Sequence, residues 1–191
     1  MEHSDISRRN ILRTGALGVG GLGAVSVAAP AAAAPPGLPA EAADLGAVDV
    51  FLKIDGIPGE SLDARHAGEI EVLSFSWGVA RNDNQPKFVK PTLSNLSFLM
   101  PISKASPLLM IAAAKGTGIR SAVLTARKAG GQQQEFYKVT MSDCLVTSYQ
   151  TSGSTQSPSE SVSLDYKRIA FEYRPQRADG SFEPPIVVTY P

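Results

Sequence analysis

The sequence predicts a mainly β protein, a small antiparallel β-barrel of two packed sheets with one flanking α-helix. The first observation is strict alternation over residues 73–79, in which every second residue is apolar: Leu73, Phe75, Trp77 and Val79. Such a period of two sends apolar groups to one face of a strand. The second observation is a slip of that phase, at Val72 and again within 161–173, which is typical of strands that bulge or bend from one sheet into another. The third is that only one segment has a convincing helical pattern.

Residues 1–34 are predicted to be an export signal outside the fold. Arg8 and Arg9 lie in Ser-Arg-Arg-Asn-Ile-Leu, which resembles the twin-arginine export signature, and residues 15–34 carry no charge. A retained helix is the alternative, but the five glycines among residues 15–23 make bilayer insertion marginal. We therefore expect a secreted, extracytoplasmic protein with no stable membrane insertion after signal cleavage. A Pro/Ala-rich linker over 35–46 and a folded domain over 47–191 follow.

The first strand of the domain is predicted over 48–55. Val48, Leu52 and Ile54 would share its core face, and Phe51 would lie among charged residues on a solvated face. A glycine- and proline-containing turn follows at 56–59. His66, in the polar connection after it, is expected to be a surface or turn hydrogen-bonding group.

Two features of the stretch from 74 to 90 are candidates for function. Ser74 and Ser76 lie on the polar face of the strand predicted over 69–79, which we call the central stretch. The loop after that strand is long for a hairpin. It is either a simple polar connection or a protruding loop that contacts a partner, and its polar residues are Arg81, Asn82, Asp83, Asn84, Gln85, Lys87 and Lys90.

A strand over 92–100 and the single helix over 103–115 come next. Alternation places Leu96, Phe98 and Met100 on one face of the strand. Ser106 is predicted to be the N-cap of the helix, and Gly116 is predicted to end it.

The remaining elements are strands. A glycine turn at 129–132 joins antiparallel strands over 119–128 and 135–149, in which Cys144 and Val146 are expected to lie opposite Val139 and Met141. Cys144 is expected to be a small buried hydrophobe rather than a nucleophile. One long strand over 161–173, a turn at 179–180 and a short strand over 186–190 complete the prediction.

Composition excludes several classes of function. Of 191 residues, 18 are Lys or Arg and 18 are Asp or Glu, so no long-range field would recruit nucleic acid. One cysteine and two histidines argue against a metal site. No nucleophile elbow, zinc-protease motif or phosphate loop is present. The sequence therefore predicts a noncatalytic protein without a cofactor.

Several segments together resemble the haemolysin-coregulated protein family, Hcp, the tube component of type VI secretion. They cover residues 48 to 180, in order and with few gaps. The segments are the first strand 48–55 with the turn at 59–61, the Ser-Phe-Ser-Trp-Gly strand at 74–78, the strand-to-helix passage over 96–110, the stretch 124–130 and the late stretch 173–180.

The resemblance implies a β-barrel that assembles into a homo-hexameric ring. It also implies that rings stack into a tube whose lumen holds small effector or cargo proteins. On this basis Ser74 and Ser76 are a candidate lumen face, with an ordinary solvated strand face as the alternative, and the loop from Arg81 to Lys90 is a candidate ring-stacking loop. The export signal departs from the family pattern. It favours an alternative hypothesis, in which the protein is an exported binding or carrier module that works independently of an injection apparatus.

Overall fold

The computed structural model describes residues 47–81, 91–128, 133–153, 157–177 and 179–191. The predicted signal peptide with Arg8 and Arg9, the linker over 35–46 and most of the candidate loop, 82–90, lie outside the described residues. The elements in chain order are β1 (Val48–Ile54), β2 (Ile70–Glu71), β3 (Ser74–Ser76), β4 (Val79–Ala80), β5 (Thr92–Leu93), β6 (Leu96–Pro101), α1 (Ala105–Lys115), β7 (Gly118–Lys128), β8 (Glu135–Ser152), β9 (Ser159–Asp165), β10 (Arg168–Tyr173) and β11 (Ile186–Tyr190).

Nine of these strands form one antiparallel sheet that folds back on itself. The first half has the order β2-β1-β7-β8-β10-β11, and the second half has the order β8-β9-β6-β3, so that β8 belongs to both. The strands β4 and β5 form a separate two-stranded ribbon. The predictions of a mainly β fold and of one flanking helix are confirmed for the part of the chain that the structure describes.

The sheet bends at Asp143, in the middle of β8. Residues 137–142 of β8 pair with β10, residues 145–152 pair with β9, and Asp143 between them has a positive φ of 56°. This bend shifts the phase of alternation, so Val139, Met141, Cys144 and Val146 are all buried. The expectation that Cys144 and Val146 lie opposite Val139 and Met141 is therefore wrong.

The segment facing this bend turns as well. Instead of one strand over 161–173, the chain forms β9 and β10, with a break at Tyr166 and Lys167. The Lys167 amide donates a hydrogen bond to the Ser142 carbonyl (3.1 Å) beside the bend of β8. The phase slip predicted within 161–173 thus corresponds to a bend in the sheet, because β8 bends at Asp143 and the opposite segment breaks at Tyr166 and Lys167.

The other slip, at Val72, marks a crossing from one half of the sheet to the other. The Val72 amide donates to the Val50 carbonyl on β1 (2.9 Å), and the next amide, of Leu73, donates to the Leu99 carbonyl on β6 (2.8 Å). Within the described residues β2 pairs only with β1, and β3 only with β6. The two halves therefore pack as a β-sandwich and do not close into the barrel that the sequence predicted.

The core lies between the two halves and is covered at one side by α1. Leu96, Phe98 and Met100 of β6 are buried, as their alternation predicted. Two members of the central stretch are not core residues, since Leu73 and Val79 are each 62% exposed. Leu73 turns outward at the crossing, and Val79 lies in the β4–β5 ribbon beyond the core.

The outer face of β1 is covered at Phe51, whereas Lys53 on the same face is exposed. Phe51 is buried under the connection that precedes β2, where the His66 ring stacks on it at 4.3 Å. His66 is also buried, and its Nδ1 lies 2.9 Å from a carboxylate oxygen of Glu69. His66 is therefore a hydrogen-bonding turn residue, as predicted, but not one on the surface.

The helix begins earlier than its predicted cap. Lys104 is the N-cap without a side-chain cap bond, and Ser106 lies inside the first turn, where its hydroxyl accepts a hydrogen bond from the Ser103 amide (2.9 Å). Gly116 ends the helix in the left-handed conformation, with a φ of 63°. The predicted stop is confirmed, because glycine adopts this conformation without a Cβ penalty.

Candidate functional site

Ser74 and Ser76 belong to a larger hydroxyl-rich surface on the outside of the second half. Pairing of β3, β6, β9 and β8 sets up two cross-strand rows on this face. One row is Ser76, Ser97, Ser163 and Ser148, and the other is Ser74, Leu99, Ser161 and Gln150. We call the six serines of these rows the serine face.

The serine face carries no charged side chain in either row. The hydroxyl oxygens of Ser97 and Ser163 lie 3.1 Å apart, which confirms that neighbouring strands present these residues on the same side. Ser74, Ser76 and Ser161 are exposed. The alternating serines at 159, 161 and 163 are visible in the sequence, but their place beside Ser74 depends on the strand register.

The outer face of the first half is different in character. Asp49 and Arg127 pair across β1 and β7, and Lys138 and Glu172 pair across β8 and β10. Arg127 is itself buried and donates to a carboxylate oxygen of Asp63 (2.9 Å) and to Asp49 (3.2 Å). One outer face of the sandwich is therefore charged, and the other carries the uncharged serine face, with Asp165 on β9 beyond its two rows.

Within the described residues the sheet branches at β8 and ends in three edge strands, β2, β3 and β11. Within the described residues β11 pairs only with β10, and β3 pairs only with β6. On β11, Ile186, Val187 and Val188 are more than half exposed. An exposed edge strand of β-branched residues is a template for pairing with another chain.

The groups that would suggest enzyme chemistry lie in structural settings. Cys144 is buried, and its burial raises the pKa of the thiol to about 11, so the thiolate needed for nucleophilic chemistry is suppressed. Among the described residues no cluster of His, Cys, Asp and Glu has the arrangement of a metal site. In the part of the chain that the structure describes, no helix is both long enough and apolar enough to cross a membrane.

Of the candidate ring-stacking loop, only Arg81 is within the described residues, where it is exposed. Asn82, Asp83, Asn84, Gln85, Lys87 and Lys90 lie outside them. The structure thus brings Ser74 and Ser76 together on one surface and leaves the loop as a prediction.

Comparison with known proteins assigns the family. The family model for "Type VI secretion system effector, Hcp" matches residues 51–173. Protein hcp1 of Pseudomonas aeruginosa is 39% identical over 143 residues, which cover 71% of this chain and 88% of that protein. The chain belongs to the Hcp family.

Solved Hcp structures share its fold. The crystal structure of Hcp1 from Salmonella typhimurium is similar with a TM-score of 0.66 and 36% identity, covering 76% of this chain and 95% of that one. A type VI secretion system effector from Yersinia pestis has a TM-score of 0.64 and 32% identity, covering 74% and 98% of the two chains. Hcp is the tube component of type VI secretion, a secreted structural protein that oligomerises as rings.

Proposed function

We propose that this Hcp protein is a noncatalytic tube component whose hexameric rings stack around a lumen lined by the serine face. The contrast between the two outer faces carries the proposal. A lumen that small effector or cargo proteins must enter and leave favours a surface without strong fixed charges, and the serine face has none in its two rows. The charged face would then point away from the lumen.

A ring of identical subunits needs two different patches that meet between neighbours. The edge strands β11 and β3 end different branches of the sheet and would supply part of such a pair. The loop from Arg81 to Lys90 follows the central stretch and extends toward the adjacent ring in this proposal. Its mixed charges would form contacts that weaken as the salt concentration rises.

A second function is favoured by the Arg8-Arg9 stretch. If this segment is a working twin-arginine signal, the protein leaves the cytoplasm independently of an injection apparatus and acts outside as a ring-forming binding or carrier module. Fusing residues 1–40 to a reporter tests this. Arrest of the reporter in the cytoplasm when the twin-arginine pathway is blocked supports the carrier function, and unchanged export removes its basis.

The ring itself is tested by sedimentation velocity of the full chain well above micromolar concentration. We expect a dominant species of six subunits. A single monomeric species across the concentration range would refute the proposed assembly.

A further inference from the structure

The helix α1 is apolar on its solvent side as well as on its core side. Ala105, Leu109 and Ala112 face the core and are buried. The other side bears Leu108, Met110 and Ile111, which are 38%, 47% and 41% exposed. Lys115 is the one charged residue within the helix. A helix that is hydrophobic all round is typical of a buried helix, so its solvent side lacks a cover in the monomer.

A second uncovered apolar surface lies on the inner face of β10 and β11. Three cross-strand pairs run along it, from Ile169 with Tyr190, through Phe171 with Val188, to Tyr173 with Ile186. The first pair lies against the core of the same chain, where Ile169 is buried and Tyr190 packs on the cluster. At the last pair Tyr173 and Ile186 are 41% and 58% exposed, so the covering layer stops partway along the sheet.

We propose that the solvent side of α1 in one protomer packs onto this uncovered end, at Tyr173, Ile186 and Val188, of the next protomer in the ring. The contact rests on the ring proposed above and names the surfaces that form it. A helix over the apolar face of a sheet is a standard protein layer. Here α1 of the neighbouring protomer covers the part of the β10–β11 face that the chain's own core leaves exposed.

A second copy of this chain is the occupant that fits best. The Hcp family oligomerises as rings, and a heterologous ring contact requires two different patches that each subunit carries once. The described residues include both patches, one on α1 and one at the end of β10 and β11. Neither surface bears a charge except Lys115 at the end of α1, so the contact desolvates almost no charge.

Paired cysteines test the contact in the full chain. The native Cys144 is buried and gives little background. We expect Ile111→Cys combined with Ile186→Cys to give covalent oligomers of up to six subunits with a short bismaleimide, and each single variant to give none. Leu62→Cys with Ile186→Cys is the control, because Leu62 is 97% exposed and belongs to neither surface. Equal cross-linking in the control would overturn the contact.

A charge substitution provides an independent measurement. We expect Ile111→Lys to weaken ring assembly at least tenfold in sedimentation velocity, whereas Leu62→Lys leaves it unchanged and both retain the wild-type circular dichroism. If wild-type rings form and Ile111→Lys rings form equally well, this contact is wrong and the ring stands. If the wild type stays monomeric, the ring fails and the contact with it.

Discussion

The indole nitrogen of Trp77 donates a hydrogen bond to the hydroxyl of Tyr137, at 2.5 Å. Trp77 follows β3 in the second half of the sandwich, and Tyr137 lies on β8 in the first half. Phe171 on β10 packs against both rings, with centroids 5.8 Å from Trp77 and 5.1 Å from Tyr137. These aromatic groups hold together the two halves at the place where the sheet does not close by backbone pairing.

A double-mutant cycle of Trp77→Phe and Tyr137→Phe measures this hydrogen bond. We expect a coupling energy of about 1 kcal/mol, because a hydrogen bond between partly buried neutral groups contributes about that much. Urea unfolding followed by circular dichroism supplies the four free energies. Additive effects of the two substitutions would mean that the contact does not stabilise the sandwich.

Acid should weaken the fold through Asp63. Hydrogen bonds, first from the Arg127 side chain and then from the Arg65 amide, lower the pKa of Asp63 from the usual 3.8 to about 2. The folded chain thus keeps this carboxylate charged where the unfolded chain binds a proton. The stabilisation is present above the unfolded pKa and is lost as pH falls through the folded pKa.

The measurement is the urea midpoint between about pH 5 and pH 2, a window that spans both pKa values. Asp63→Asn removes the titrating group, so its midpoint should fall less over this window than that of the wild type. Parallel curves for the two proteins would show that Asp63 does not contribute to the acid sensitivity.

Gly59 is required by the close approach of two backbone segments. A Cβ at this position would lie 2.2 Å from the Glu69 carbonyl oxygen, and the Gly59 amide donates to the Gly68 carbonyl (2.8 Å). We expect Gly59→Ala to cost about 2 kcal/mol or more, because backbone must move to relieve the clash. Gly118→Ala is the matched control, since no non-neighbouring atom lies within 4 Å of its Cβ. Equal thermal stability of the two variants would contradict the clash.

Cys144 should be inert in the folded chain. It is 2% exposed, and burial raises the pKa of its thiol to about 11. At about pH 8 we expect Ellman's reagent to label it only in denaturant, where a free cysteine approaches its ordinary pKa. Rapid labelling without denaturant would place the thiol at the surface and remove the low background on which the cross-linking test depends.

The parts of the fold that depend on local alternation could be predicted from the sequence. The inward face of β6 and the β7–β8 hairpin are examples, because neighbouring residues along one strand decide them. The cover over Phe51 could not be predicted, since it is formed by His66 and Arg127, which are distant from it in sequence. The phase shift at Asp143 depends on a left-handed backbone conformation that non-glycine residues adopt only occasionally, although aspartate adopts it more often than most.

The serine face, likewise, could be predicted from the sequence only in part. The polar face of β3 followed from alternation at Ser74 and Ser76. Its extension over β6, β9 and β8 required the register that pairs Ser76 with Ser97 and Ser97 with Ser163. Register between distant strands depends on the packed core as a whole, so the size of the neutral surface became visible only in the structure.

Electron microscopy of Ser76→Cys labelled with a small maleimide-gold cluster tests directly whether the serine face lines the lumen. Ser76 is exposed and Cys144 is buried, so the label should attach at the serine face. We predict six-fold rings with gold density inside the central opening. Gold on the outer rim of the rings would contradict the assignment of the serine face to the lumen.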